Sequence, residues 1–442
     1  MILMSKKHSI YIILLGSFFL FWFNLDAIRS TAVSYLNEDQ KQKVREIFFG
    51  KATADLFKKY KIYGKLNYNQ NLLPVTQYMN INFKQFPLKN IKMSASKSKW
   101  NPSSVNFFLE QFDEYIIISD SKAKIFYINK EFINDFENFS WIKLESNFKF
   151  ENENGLIRDL FVYNNEIFIS YSDYQIKDCT KLNILKATIS KEKLNFKTFF
   201  KTKDCGPELD AGRMSYYNHY GKEGLLVTTD IGGLEGDEAQ DNNSSFGKIL
   251  FIDFENKDSI IFSKGHRTPQ GLSVENDLIL SAEHGPRGGD EINLIEFGNN
   301  YGWPISSYGE PYYEEEFYKT ENSKNSFFYY KNHSDHGFTE PVYAFVPSIG
   351  INQIIKVPGS FSIFWKNNYL VTSLNRGSIY RIQLDKNFNK LISREEIFIG
   401  KRIRDIIYVD GFNVFVLALE GSKYSKVDEA IPNVGILQNV SN

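Results

Sequence analysis

The chain has 442 residues, 42% of them hydrophobic and 16% aromatic, enough apolar content for a large packed core, which excludes a disordered polypeptide. Lys and Arg number 52 against 53 Asp and Glu, so the formal charge of -1 gives no overall electrostatic ground for binding nucleic acid or an acidic membrane face, and any anion site has to be local. The 39 Phe and 26 Tyr favour strands and stacking surfaces.

In chain order, Lys6 and Lys7 come first, followed by the apolar run Ser9 to Leu25, "SIYIILLGSFFLFWFNL". This run is at the short limit for a membrane span, and the lysines before it predict an amino terminus left inside with the rest exported. "NLDAIRS" matches a small-x-small cleavage site poorly, so residues 1–25 read as an uncleaved anchor in preference to a cleaved signal peptide. Either way the body is expected to be periplasmic or otherwise extracytoplasmic, held at the inner membrane by residues 9–25. Residues 38–65 have helical periodicity and 93–104 form a polar, turn-rich break, so 26–100 read as a juxtamembrane helix and linker.

From 101 to 442 one unit recurs: an apolar strand, a short turn, and a second apolar strand ending in an acid or small polar residue. Copies start at 104, 157, 212, 270, 350 and 403, at intervals of 53, 55, 58, 80 and 53 residues. Since a four-stranded propeller blade takes about 40 to 50 residues, the spacing predicts an all-β, six-bladed propeller and fits a pair of β-sandwiches less well. The long interval holds an extra segment, 305–345, which could lid the channel or meet a neighbour. Cys179 and Cys205, the only cysteines, are expected to pair in an oxidising compartment, the alternative being two separate buried thiols; without a CxxC spacing they make a poor zinc site.

In a propeller the start of each blade's first strand and the end of its second share one face. The first positions carry Arg158, Arg213, Arg267, Arg402 and Arg404; the second carry Asp120, Asp173, Asp230, Glu283 and Glu420. Converging guanidinium groups repel unless carboxylates or a bound anion compensate them, which points to an anionic ligand; structural pairing with the acids is the plainer reading for any one of them. The stretch "SAEHGPRGGDEINLIEFGNNYGWP", 281–304, adds glycines that can turn carbonyl oxygens outward beside Asp290 and Glu291, an oxygen set suited to calcium.

With "GHRTPQGL" (265–272) and "EHGPRGGDEINLIEFGNNYGWP" (283–304) in this order, the chain resembles the soluble glucose/sorbosone dehydrogenase family, six-bladed propellers that oxidise aldoses with pyrroloquinoline quinone and calcium. The resemblance implies that Arg267, Arg402 and Arg404 clamp the quinone cofactor, with Thr268, Gln270 and Asn375 at neighbouring cofactor positions. It also implies that the carbonyls of Gly285 and Pro286 hold the calcium that polarises the quinone, and that Glu291 and Tyr301, with Asp290 nearby, form a second cation site.

Three positions depart from the family pattern. Its general-base histidine falls on Leu209 of "ELDAGR", its asparagine on Thr268, and a lysine of some members on Asn375. Loss of a base costs about 10²- to 10⁴-fold in rate. Asp210 and Asp230 are the candidate replacements, ahead of Glu208, His219, His266 and His284. The expected function is thus an exported quinoprotein oxidising a CH–OH group of a sugar-like substrate and passing electrons to a respiratory-chain acceptor. The alternative is a propeller of the same descent that only binds carbohydrate or protein. Oligomeric state is not legible.

Overall fold

The computed structural model describes residues 80–88, 91–94, 105–136, 138–150, 155–176, 179–233, 236–310, 329–420 and 431–440, with Gln40 and Lys43. The chain divides into two units, 1–69 and 70–442. Of the first, only Gln40 and Lys43, both helical, are described, so the expected anchor at 9–25 and nearly all of the expected helix lie outside the described residues. No helix among the described residues is long and apolar enough to cross a membrane.

The second unit is a six-bladed propeller. The inner strands of blades 1 to 6 are Phe107–Phe112, Leu156–Tyr163, Met214–His219, Thr268–Glu275, Ile351–Lys356 and Arg402–Val409. Each begins within three residues of a start read from the sequence repeat, and each touches the next around the ring, the sixth returning to the first. Every blade is an antiparallel meander of four strands; blade 1 gains a fifth, Lys193–Leu194, in parallel register with Ile142–Ser146.

Ring closure corrects one boundary. Ile81–Pro87, inside the stretch read as linker, is the outer strand of blade 6, paired antiparallel with Asn433–Asn439 from Ile81↔Asn439 to Pro87↔Asn433. The propeller therefore starts before residue 101, and its last blade is built from both ends of the chain. A single strand separated from its partner by some 350 residues has no repeat signal of its own, and so looks like linker. The outer end of the long interval is likewise a blade strand, Tyr343–Phe345 of blade 4; residues 311–328 lie outside the described residues.

Strands are apolar on both faces because each blade packs against two neighbours. The seams are filled in turn, for example by Phe107, Ile116, Val416 and Ile436 between blades 1 and 6, and by Leu209, Leu225, Phe246 and Leu182 between blades 2 and 3. Cys179 and Cys205 form a disulfide in blade 2, as expected.

At the axis the blades are tied by ions. Arg213 is buried; its Nη1 meets Asp159 Oδ1 of blade 2 at 2.8 Å and Asp405 Oδ1 of blade 6 at 3.0 Å. Its Nε donates to the Gln270 carbonyl of blade 4 (2.8 Å) and Nη2 to that of Arg404 (2.9 Å), while its guanidinium faces the Phe108 ring of blade 1 at 5.3 Å. Asp405 Oδ2 also accepts the Leu109 N–H, and Asn352 of blade 5 donates to the Ile403 carbonyl. Burial pushes Asp159 and Asp405 up, and Arg213 opposes it. Removing one partner of such a buried network leaves uncompensated charge, costing about 3–5 kcal/mol. Arg213→Met should therefore lower unfolding free energy at neutral pH by about that amount, with part regained on acidification as the two carboxyls protonate. Chemical denaturation at two pH values checks it; an unchanged midpoint would remove Arg213 from its place as closure of the ring.

Candidate active site at the channel mouth

Arg213 is thus engaged within the fold, and of the arginines placed on this face by the repeat Arg158 is also paired, with Asp210 and Ser172. Arg402 and Arg404, two apart on the inner strand of blade 6, do point the same way. Their Nε atoms bind the two oxygens of buried Glu420, at 2.8 and 2.5 Å. Burial works against the Glu420 charge, but Arg404 and Arg402 overcome it and hold its carboxyl below its ordinary value. Burial lowers Arg404, opposed by Glu420 and reinforced by Arg402. Among the described residues, these two guanidiniums share one carboxylate, which leaves an excess positive charge.

Arg267 stands just before the inner strand of blade 4. Its backbone N–H donates to Glu283, its Nη1 reaches the carbonyls of His284 (3.3 Å) and Gly285 (3.2 Å), and its guanidinium lies 5.3 Å from the Trp303 ring. Its Nε is buried with no hydrogen-bond partner among the described residues. Thr268 follows at the start of that strand, opposite His284, and Gln270 Nε2 donates to the Asp210 carbonyl at 3.0 Å. Asn375 is exposed at the end of blade 5's second strand, its backbone N–H on the Ile349 carbonyl.

The acids divide by environment. Asp230 is buried, accepting the N–H groups of Asp210 (2.6 Å) and Gly232 (3.0 Å), and burial followed by the nearby Asp210 charge raises its pKa to about 6. Asp210 pairs with Arg158 Nη1 at 2.9 Å, and its side chain is 41% exposed. Leu209, at the family's histidine position, is fully buried in the seam between blades 2 and 3. The histidines are engaged elsewhere: His266 bonds Ser263 and Glu283, His284 the Ile351 carbonyl, and His219 sits among Phe251, Phe262 and Phe297. Asp120 caps a turn through the N–H groups of Ser94, Lys122 and Lys124.

The loop from 284 to 304 is tightly folded. A Cβ on Gly285 would fall 1.7 Å from the Gly289 carbonyl oxygen, so the tight fold requires glycine there. The Gly285 carbonyl faces Arg267, and that of Pro286 accepts the Gly289 N–H at 3.2 Å. The residues expected at a second cation site have partners within the protein. Asp290 Oδ2 accepts the N–H groups of Ile349 and Ile351, both at 2.9 Å, and so fastens blade 4 to blade 5. The Tyr301 hydroxyl is turned onto Leu294 and Glu296, and the buried His333 imidazole lies between the would-be ligands, Nδ1 3.0 Å from the Tyr301 carbonyl and Nε2 3.6 Å from Glu291. Burial, with Glu283 nearby, raises Glu291 well above the carboxylate range, and burial lowers His333. Among the described residues, no group of three or more His, Cys, Asp or Glu is placed to hold a metal ion. His333 lies 32 residues beyond Tyr301 in an irregular loop, so no spacing announces it; Trp303 was within the quoted stretch, but its place over Arg267 is a matter of folding.

A sequence model of the glucose/sorbosone dehydrogenase family matches residues 151–423. Curated relatives include quinoprotein glucose dehydrogenase B of Acinetobacter calcoaceticus, 28% identical over 45% of this chain and 49% of its own, and aldose sugar dehydrogenase YliI of Escherichia coli, 33% identical over 34% and 45%. The chain spans about half the length of these relatives. The fold is shared with a solved structure, the PQQ-bound form of an aldose sugar dehydrogenase from Streptomyces coelicolor: TM-score 0.55, 16% identity, 83% of this chain and 99% of that one.

Two outcomes are expected. A raised Asp230 stabilises the fold fully below the unfolded pKa of 3.8, and that contribution is lost as pH rises through about 6. Hence Asp230→Asn should gain stability relative to the parent as pH climbs from 4 to 7; parallel urea midpoints across that range would contradict the assignment. With His333 between Tyr301 and Glu291, calcium should shift the melting temperature of cofactor-free protein and of Glu291→Gln equally. A shift abolished by Glu291→Gln would restore the second cation site.

Proposed function

Because the chain belongs to the glucose/sorbosone dehydrogenase family, we propose that it is an exported, membrane-anchored oxidoreductase acting on a CH–OH group of a sugar-like substrate. It uses pyrroloquinoline quinone with calcium and delivers electrons to a respiratory-chain acceptor. The observation that carries this reading is the gathering of Arg267, Arg402 and Arg404 at one end of the channel with an incomplete set of counter-charges.

That donor set fits a planar polycarboxylate. Guanidinium groups bind carboxylates bidentately, and the partnerless Nε of Arg267 is a buried donor of the kind that a ligand satisfies. Arg267, Arg402, Arg404, Thr268 and Gln270 would hold the cofactor, with Asn375 at the rim. Gly285 keeps one carbonyl lone pair for calcium beyond the hydrogen bond from Arg267, whereas the Pro286 carbonyl, which accepts from Gly289 N–H and the Ser348 hydroxyl, would have to give up the longer of its two bonds. The relatives named as a quinoprotein and as a PQQ-bound enzyme support the same cofactor. When bound, the quinone supplies the two-electron acceptor.

The chain's own residues supply the proton chemistry. Leu209 has no acceptor, so the hydroxyl proton goes to Asp210, whose carboxylate reaches solvent and is held in place by Arg158. Asp230 fixes Asp210 through its backbone N–H, and Gln270 holds the Asp210 carbonyl, which ties the base to the strand that carries the cofactor arginines. Asp230 itself has both oxygens on backbone donors and acts as a positioning residue.

Titration of metal-stripped protein with pyrroloquinoline quinone, with and without calcium, followed by dye reduction over a panel of aldoses, tests the reading. Calcium-dependent, saturable binding is expected, weakened at least 10-fold by Arg404→Ala. Asp210→Asn should retain binding and lose about 10²- to 10⁴-fold in turnover. Absence of binding would overturn the cofactor reading, and binding with no turnover on any aldose would leave a recognition module.

A further inference from the structure

One buried charge on the channel-mouth face takes no part in the candidate site. Lys248 begins the third strand of blade 3, Lys248–Asp253, and is fully buried. Its Nζ donates to three main-chain carbonyls, those of Glu238 (2.6 Å), Ala239 (3.1 Å) and Phe246 (2.6 Å). An ammonium has three donors, so all are used. Glu238 and Ala239 belong to the single 3-10 turn Asp237–Ala239, and Phe246 stands two residues before the lysine. The ammonium therefore lies where a bound cation would lie, ringed by carbonyl oxygens and supplied by the chain itself.

The backbone gathered by this ammonium reaches both halves of the candidate site. On one side, Thr229 N–H donates to the Lys248 carbonyl (2.8 Å) and Gly247 N–H to the Asp230 carbonyl (2.7 Å), so the residue whose side chain fixes Asp210 is bonded to the lysine's own neighbours. On the other, Gly265 N–H donates to the Ala239 carbonyl (3.0 Å) and His266 N–H to that of Gly247 (3.1 Å), directly before Arg267. The Arg267 carbonyl in turn accepts the Ile231 N–H at 3.0 Å. Gln240 Nε2 donates to the Trp303 carbonyl at 2.5 Å, and a Cβ on Gly236 would fall 2.7 Å from Trp303 Nε1. Residues 236–240 are thus pressed against the ring that faces Arg267. Without the charge, three carbonyl dipoles would converge with nothing between them.

We propose that Lys248 is a positioning residue, whose ammonium serves as an internal cation that holds the Asp210–Asp230 pair in register with Arg267 and Trp303. It has this role on the reading of Asp210 as base and Arg267 as cofactor ligand, and it touches neither cofactor nor substrate. Burial lowers the ammonium to about 8; Asp241, Asp204 and Glu238 nearby favour its charge and Lys264 opposes it. Two effects of opposite sign follow from this one titration. A lysine held below its unfolded value of 10.5 costs stability while it is charged in the folded state, and the cost is relieved as pH rises from about 8 to 10.5. Over the same rise, the neutral amine keeps two donors and turns a lone pair toward the carbonyls, so the register loosens. A lysine serving global stability alone would give the first effect without the second.

The test is amide hydrogen exchange on the cofactor-free full chain from about pH 7 to about 9.5, corrected for intrinsic rates, which needs no bound cofactor. Protection at residues 228–233 and 264–272 is expected to fall about 10-fold through the titration of Lys248, with the inner strand of blade 6, Arg402–Val409, unchanged. Lys248→Met should show the lower protection already at neutral pH and no step. Lys248→Arg, charged throughout, should keep the protection and lose the step, and it decides the matter if Lys248→Met does not fold. No step in the parent, a step shared equally by Arg402–Val409, or a step that survives both substitutions would overturn the proposal. In the same pH range the affinity for pyrroloquinoline quinone with calcium should fall with the protection. An exchange step in protein that takes up no pyrroloquinoline quinone would overturn the cofactor reading and leave the hold of Lys248 on the loop standing; cofactor uptake without the step would do the reverse.

Discussion

The structure depends on closing a ring of six sheets around one axis, where buried carboxylates and backbone carbonyls of different blades have to be satisfied together, and Arg213 does this. One guanidinium, with five donors in a fixed plane, meets carboxylates from blades 2 and 6 and carbonyls from blades 4 and 6. Both carbonyls belong to residues of the candidate site, Gln270 and Arg404. The same ion that closes the ring therefore fixes the backbone beneath the cofactor positions.

Above this hub the charge balance changes sign of purpose. Arg213 is matched by two carboxylates, whereas Arg402 and Arg404 share one, and Arg267 keeps a buried Nε without a partner among the described residues. Full compensation makes a structural core; incomplete compensation at a channel mouth is what the proposed anionic cofactor would complete.

Much of this was legible in the sequence. The spacing of paired apolar strands marked six blades and the start of each inner strand, because period-2 burial on both faces leaves a near-continuous apolar run that only a stacked sheet explains. Arg267, Arg402 and Arg404 were identifiable from where they fall in the repeat, and the pairing of Cys179 with Cys205 from their being alone in the chain. The role of Asp290 and Glu291 is not legible from sequence for a physical reason: adjacent acids beside glycines look the same whether they await a cation or bind backbone N–H groups. Here Asp290 takes two N–H groups of the next blade, and His333 lies between Tyr301 and Glu291.

By itself, then, the sequence determined the fold class, the blade register and the basic residues of the channel face, since local periodicity and strand position are sufficient for each. Tertiary structure alone decided that Ile81–Pro87 completes blade 6, that Arg213 is a core ion and Arg404 is not, and that Leu209 lies in a seam while Asp210 meets solvent. These outcomes turn on which groups from distant parts of the chain meet at a given depth, and neither burial nor partnership across hundreds of residues leaves a trace in local sequence pattern.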